Sequence, residues 1–187
     1  MTTFPNDLDT RFRALAQGFG LLDAAYDTID SPFGPMLLAT SREGLLAIRF
    51  HPDADEYAEQ LSRIAGVRVL RAPRAIEQAR RELDEYFAGK RRAFDLSVDL
   101  RAMTPFTVQV LRELAQVPFG GTATYRELAE RVGKPNASRA VGTVMNRNRI
   151  PIVLPCHRVI GSSGNLVGYA GGLEMKEKLL RLEGAIL

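Results

Sequence analysis

Between Asp23 and Phe50 the apolar residues fall in short runs, Ala24 to Ile29, Met36 to Ala39 and Leu45 to Phe50, separated by Ser31-Pro32-Phe33-Gly34-Pro35 and Ser41-Arg42-Glu43-Gly44. Short apolar or alternating runs bounded by Pro and Gly clusters predict antiparallel strands. The period then changes. Asp53 to Ile64 and Ala75 to Phe87 carry apolar residues at helical spacing, the second stopped by Gly89, and Phe94, Leu96, Val98 and Leu100 alternate as a further strand. Residues 23–100 thus read as a small α/β domain whose sheet is antiparallel and carries helices. The first 22 residues hold a weak helical stretch, Asp9 to Ala16, and a Gly18-Phe19-Gly20 breaker, and read as an appended segment.

Beyond residue 100 the pattern is mostly helical. Thr104-Pro105 offers a cap and a first-turn proline to a helix whose apolar face is Phe106, Val110, Leu111 and Leu114, ended by Pro118-Phe119-Gly120-Gly121. Thr124-Tyr125-Arg126-Glu127 is a capping box that opens a short helix through Val132, stopped by Gly133-Lys134-Pro135. A second short helix follows from Asn136 to Asn146, so the pair resembles a helix-turn-helix. Its small residues Ala137, Ala140, Gly142 and Thr143 suit either close approach to a groove floor or tight packing in a core. After Cys156 comes a hairpin-like loop punctuated by Gly161, Gly164, Gly168, Gly171 and Gly172, then a last helix, Leu173 to Glu183. Residues 101–187 form the second expected domain.

Charge separates the two halves. The chain has 25 Lys and Arg against 22 Asp and Glu, but residues 1–100 carry 13 against 16 and residues 101–187 carry 12 against 6. The C-terminal half is therefore the better partner for a polyanion. Between Thr122 and Arg158 seven basic residues (Arg126, Arg131, Lys134, Arg139, Arg147, Arg149, Arg158) face only Glu127 and Glu130, the expected place for phosphates. Met1-Thr2-Thr3-Phe4-Pro5-Asn6-Asp7 shows no signal-peptide pattern and no apolar run reaches membrane-spanning length, so a reducing, cytoplasmic setting without membrane attachment is expected.

The one cysteine, Cys156, lies in Ile152-Val153-Leu154-Pro155-Cys156-His157-Arg158, beside an imidazole and a guanidinium. A single thiol closes no intramolecular disulfide and builds no multi-cysteine zinc site; its useful role is a nucleophile without a resolving partner, against the plain alternative of an inert buried thiol. His51, the only other histidine, sits by Pro52 in an expected loop and has no neighbouring ligand type, a poor metal site. Glu183 is out of place in a final helical turn beside leucines, where it opposes the helix dipole and would be desolvated; a hydrogen bond to an imidazole would account for it, as would a frayed exposed end. Cys156, His157 and Glu183 together have the logic of a nucleophile, a base and the group that holds that base in one tautomer, with His157 reaching the sulfur through a water.

At these residues the chain resembles the O6-alkylguanine-DNA alkyltransferase family, the methylated-DNA–protein-cysteine methyltransferases. The resemblance rests on Pro155-Cys156-His157-Arg158-Val159-Ile160-Gly161, Gly168-Tyr169-Ala170-Gly171-Gly172-Leu173 and Leu179-Leu180-Arg181-Leu182-Glu183-Gly184, in that order. Thr124 to Ala129 and Ser138-Arg139-Ala140-Val141-Gly142 match the family's helix-turn-helix, and residues 31–35 and the strands around Gly44 match more loosely. It implies a ribonuclease-H-like N-terminal domain and direct reversal of alkylation damage: irreversible, once-only transfer of an alkyl group from O6-alkylguanine, and with it O4-alkylthymine, in double-stranded DNA to Cys156 after base flipping. His157 and Glu183 would activate the thiol and Tyr125 would donate a hydrogen bond to the departing guanine. Arg139 would fill the gap left by the flipped nucleotide, with Ala137, Ser138, Ala140, Gly142 and Thr143 on the DNA-facing helix. Asn148 would brace the segment between that helix and the active-site strand. Met145, Pro151, Val159, Tyr169 and Ala170 would line the base pocket, Ala170 standing where some relatives have serine. The family's metal site uses N-terminal cysteines that this chain lacks, so neither metal nor cofactor is expected; a monomer in solution is, with cooperative assembly on DNA left open. A non-catalytic sensor of alkylated DNA is the main alternative. A cysteine hydrolase, whose base is normally remote in sequence, and a redox-switched regulator, which needs a resolving cysteine, fit less well.

Overall fold

The computed structural model describes Arg11, Leu15, Ala16 and residues 21–186. Most of the segment 1–22 read as an appendage lies outside the described residues. The chain divides into two compact units, one of residues up to Asp84 with Asp95–Ala102, the other of Glu85–Phe94 with Met103–Leu187.

In the first unit β1 (Ala24–Ile29), β2 (Met36–Ser41) and β3 (Gly44–Phe50) are antiparallel, as their patterning requires. Met36 to Ala39 is apolar without alternation because β2 is interior to the sheet and buried on both faces. The sheet is mixed, not purely antiparallel. A fourth strand, β4 (Val69–Arg71), pairs with β1 in parallel, giving the order β3-β2-β1-β4. A parallel return needs a crossover, and α1 (Ala54–Ala65) supplies it, burying Tyr57 and Leu61 against Leu37, Ala39, Leu46 and Ala47. Sequence patterning missed β4 because it is three residues long and incompletely buried. Conversely, the alternation of Phe94 to Leu100 makes only one bridge, Val98 to Leu45, rather than a strand. There the chain approaches Gly44 so closely that a Cβ would lie 2.3 Å from the Ser97 carbonyl oxygen. A short 3-10 turn, Pro73–Ile76, leads into α2 (Glu77–Phe87).

In the second unit α3 (Pro105–Ala115) packs on α4 (Tyr125–Arg131) and α5 (Ser138–Asn146). Val110, Leu111 and Leu114 meet Leu128, Ala129, Val141, Val144 and Met145 in the core between them. The capping box on α4 is made in full, with Thr124 Oγ1 accepting from Glu127 N and Glu127 accepting from Thr124 N. Gly133, at φ +70°, turns the chain after α4, with Lys134 N donating to Ala129 O at 2.8 Å. Two residues on each side form a parallel ladder that patterning is too short to reveal: β5 (Ala123–Thr124) with β6 (Val159–Ile160). The glycine-rich stretch after β6 is an irregular loop rather than a hairpin, leading to α6 (Leu173–Leu182). Among the described residues no helix is long and apolar enough to cross a membrane.

Thr124 both caps α4 and anchors β5. Thr124→Ala is expected to lower stability by about 1 kcal/mol, read as a shifted urea midpoint at unchanged m-value.

Candidate active site

Cys156 is the first residue of a single 3-10 turn, Cys156–Arg158, that runs directly into β6. The segment before it, expected to lead into an active-site strand, is a set of tight turns: Leu154 N donates to Ile150 O at 2.9 Å and Cys156 N to Leu154 O at 2.8 Å. Asn148 ties this segment down, accepting from Ile150 N at 3.0 Å and donating to Leu154 O at 2.8 Å. Ile152 pays for the compactness with φ +73°, a conformation a β-branched residue adopts only when its surroundings impose it. The ladder between β5 and β6 then places Tyr125, the residue after β5, beside the turn that carries the thiol.

The thiol is buried, and burial pushes its pKa up to about 11; hydrogen bonding from Asn148 and the charge of Lys176 oppose the rise without cancelling it. Cys156 is therefore a thiol at rest, and a thiolate must be generated when it is needed. His157 is fully buried, and desolvation lowers its pKa despite the opposing pull of Glu183, so the ring is neutral. Its Nε2 lies 2.8 Å from Glu183 Oε1. Because an ionised carboxylate only accepts, Nε2 carries the hydrogen and Nδ1 presents a bare lone pair, with no hydrogen-bond partner among the described residues.

Glu183 is the C-cap of α6 and is buried, not frayed. Besides His157 it accepts from Tyr86 Oη at 2.6 Å, from Arg158 Nε at 2.8 Å and Nη2 at 2.9 Å, and from Gly120 N at 3.4 Å. Burial alone would raise its pKa, but the hydrogen bonds from His157, Arg158 and Tyr86 outweigh this and bring it down to about 2. Arg158 is thereby withdrawn from the sulfur and from solvent: its Nη1 donates to Val117 O at 2.5 Å, so it belongs to the buried network rather than to a phosphate-binding surface. Arg126 is likewise paired with Glu130 at 2.9 Å, and Lys134 lies over the Phe106 ring at 4.9 Å. Both are nonetheless exposed, as are Arg131, Arg139 and Arg147, whereas Arg149 is half-buried.

On α5, Arg139, Ala140 and Thr143 share the exposed face, while Ala137, Ser138 and Gly142 are half-buried and Met145 faces the core. Gly142 abuts Tyr125: a Cβ there would sit 3.8 Å from its ring. Tyr125 Oη donates to Val167 O at 3.2 Å. Pro151 and Val159 are buried, Ala170 is exposed, and Tyr169 is half-buried with its ring edge-on to His157 at 6.5 Å between centroids. Three participants escaped sequence reasoning. Tyr86 is distant along the chain; Arg158 falls, by sequence, among the basic residues expected to hold phosphates. Lys176, on a helix rich in exposed charge, is fully buried with Nζ donating to Val159 O at 2.5 Å and Val167 O at 2.7 Å, and desolvation lowers its pKa to about 8.

Comparison with known proteins gives two family matches, the ribonuclease-like domain of 6-O-methylguanine DNA methyltransferase over residues 24–100 and its DNA binding domain over 105–185. The methylated-DNA–protein-cysteine methyltransferase of Methanosarcina barkeri is 44% identical over 158 residues, covering 84% of this chain and 96% of that protein. This chain belongs to the 6-O-methylguanine DNA methyltransferase family. The protein of the same description from Mycolicibacterium paratuberculosis is 42% identical over 163 residues, 84% of this chain and 91% of that one. Among solved members of the family, the crystal structure of Mycobacterium tuberculosis OGT in complex with DNA has a TM-score of 0.75 at 40% identity, covering 86% of this chain and 93% of that one. The expected α/β domain and helical DNA-binding domain are thus both present, the first with a mixed sheet.

Glu183 links this site to stability. Its folded pKa, about 2, lies below its ordinary value of 4.5, so its contribution is complete above about pH 4.5 and is lost as pH falls toward about 2. Urea midpoints followed downward from about pH 6 should decline through that window. Glu183→Gln should remove that component while destabilising the protein by about 3–5 kcal/mol near neutrality, because Arg158 is left buried without its counter-charge.

Proposed function

We propose that this protein repairs DNA by direct reversal, taking the alkyl group of O6-alkylguanine onto the Cys156 sulfur. The single observation that carries the reading is a buried cysteine followed by a neutral histidine whose Nε2 is held by an ionised glutamate, in a chain of the 6-O-methylguanine DNA methyltransferase family. The transfer is a displacement at carbon: the sulfur–carbon bond forms as the carbon–O6 bond breaks, and the guanine leaves with the bonding electrons. His157 Nδ1 takes the thiol proton through one water, and Glu183 stabilises the imidazolium that results. Tyr125 exchanges its hydrogen bond to Val167 O for one to the guanine and passes that proton to the base as the carbon–O6 bond breaks, so that the base departs neutral. The phenolate left behind is reprotonated from solvent, and the His157 imidazolium returns its proton to water. A thiol whose pKa is about 11 is quiet until a substrate is aligned, which limits wasteful reaction with other electrophiles and oxidants.

The target atom is inaccessible in a stacked duplex, so the nucleotide turns out of the helix at a cost of a few kcal/mol, less for a lesion that pairs poorly. Arg139, exposed on α5, takes the vacated place, with Ala137, Ser138, Ala140, Gly142 and Thr143 allowing close approach to the minor groove. Met145, Pro151, Val159, Tyr169 and Ala170 bound the base, and Asn148 keeps the turns before Cys156 in register. The functional parts are an appended segment (1–22), an α/β domain (23–100) and the alkyltransferase domain (101–187). Each molecule reacts once, because the carbon–sulfur bond of a thioether, unlike a disulfide or thioester, is opened neither by thiols nor by water. It acts as a monomer in the cytoplasm, with O4-alkylthymine in DNA as a second substrate.

Intact mass after mixing with excess duplex bearing one O6-methylguanine should rise by one methyl, mapped to Cys156, with one lesion repaired per molecule and no more. Tight lesion binding without a mass change would replace this reading with a non-catalytic sensor. Cys156→Ser should abolish transfer and retain duplex binding. Arg139→Ala should slow repair of duplex DNA roughly tenfold or more, since extrusion is no longer compensated, while the thiol still reacts with the free modified base.

A further inference from the structure

Tyr86 is fully buried, and its hydroxyl donates at 2.6 Å to the very oxygen of Glu183, Oε1, that faces His157 Nε2 at 2.8 Å. It lies in the stretch of sequence matched by the ribonuclease-like domain, yet by packing it belongs to the compact unit that holds Cys156. Its ring is fixed by others: Phe87 at 5.5 Å and 65°, Phe94 at 5.4 Å and 41°, and Phe119 at 6.2 Å and 83°. A tyrosine in such a cluster needs no hydroxyl for packing. The oxygen is thus either a satisfied polar group and nothing more, or a device that acts on Glu183.

We infer that Tyr86 is a positioning residue for alkyl transfer, acting through Glu183 to set the basicity of His157. The inference deepens the proposed function and rests on it. The physical reason is competition for one oxygen. Oε1 accepts from Tyr86, His157 and Arg158 Nη2, and each donor draws negative charge toward itself. A neutral hydroxyl on Oε1 weakens the carboxylate's pull on the His157 proton without removing it. His157 is then held in the right tautomer yet remains neutral and ready to accept a proton. Tyr86 itself cannot share in the proton transfer, because burial and the adjacent carboxylate raise its own pKa. The other charged or titratable groups around this pair are Arg158 on the same turn, Lys176 on α6, Cys156 and Tyr169, and Tyr86→Phe alters none of them.

The test is the pH dependence of the single-turnover methyl-transfer rate for the full-length protein on duplex O6-methylguanine, in wild type, Tyr86→Phe and Phe94→Leu. With the hydroxyl removed, Glu183 pulls harder on His157, and the acid limb, where His157 must lose its proton to serve as base, should move upward by roughly half to one pH unit. That is a part of what one lost hydrogen bond to a charged group is worth, because only its effect on the neighbouring ring is read. Phe94→Leu, which disturbs the ring cluster without touching the carboxylate, should lower the melting temperature and leave the limb in place. A Tyr86→Phe profile superimposable on wild type, or an equal shift in Phe94→Leu, overturns the inference. If Tyr86→Phe is too unstable to assay, the His157 ring titration followed by nitrogen NMR in the cold must show the same upward shift relative to wild type; an unshifted ring overturns it. Absence of transfer in the wild-type protein would instead reject the functional reading itself.

Discussion

Glu183 is an anion in a place closed to water, and the arrangement around it follows from what that demands. Desolvating a carboxylate costs several kcal/mol, so the site must bring donors until the charge is cheaper to keep than to neutralise. Arg158 brings two, His157 and Tyr86 one each, and the Gly120 amide approaches more distantly. These come from three separate stretches of sequence, which have to converge on the fourth that carries Glu183 for any of them to be stable. A helix C-terminus is an unfavourable position for a carboxylate, and the guanidinium against it is what reverses the local sign.

The same convergence explains which parts of the protein could be read from sequence. Cys156, His157 and Glu183 were legible because each was anomalous where it stood: a lone thiol after a proline, an imidazole next to it, a carboxylate among leucines. Arg158 and Lys176 were not, since a cation in a basic stretch or on a charged helix has the pattern of a solvated side chain, and only the fold reveals that their surroundings are carbonyls and a carboxylate. Tyr86 was hidden by distance along the chain, its helical spacing marking it as core without indicating that its hydroxyl had a task.

In the fold, what depended on period was legible and what depended on brief pairing was not. The three antiparallel strands and the helices of both units follow from residue spacing and from caps such as Thr104 and Thr124. β4, β5 and β6 are two or three residues long, too short to carry a period, and exist because neighbouring segments hold them in place. The alternation of Phe94 to Leu100 shows the converse. Those side chains are half-buried in turn, yet the chain meets its neighbour at one bridge only, so burial alternated without a ladder.

Lys176 has one more consequence. By donating to Val159 O and Val167 O, a single ammonium ties the strand that enters the glycine-rich loop to a point midway along it. Five of the chain's 16 glycines lie between residues 161 and 172, and a loop so rich in them would otherwise sample many shapes. The staple makes the entropy loss over that stretch part of folding, so the backbone between Val159 and Val167 is already ordered in the free protein.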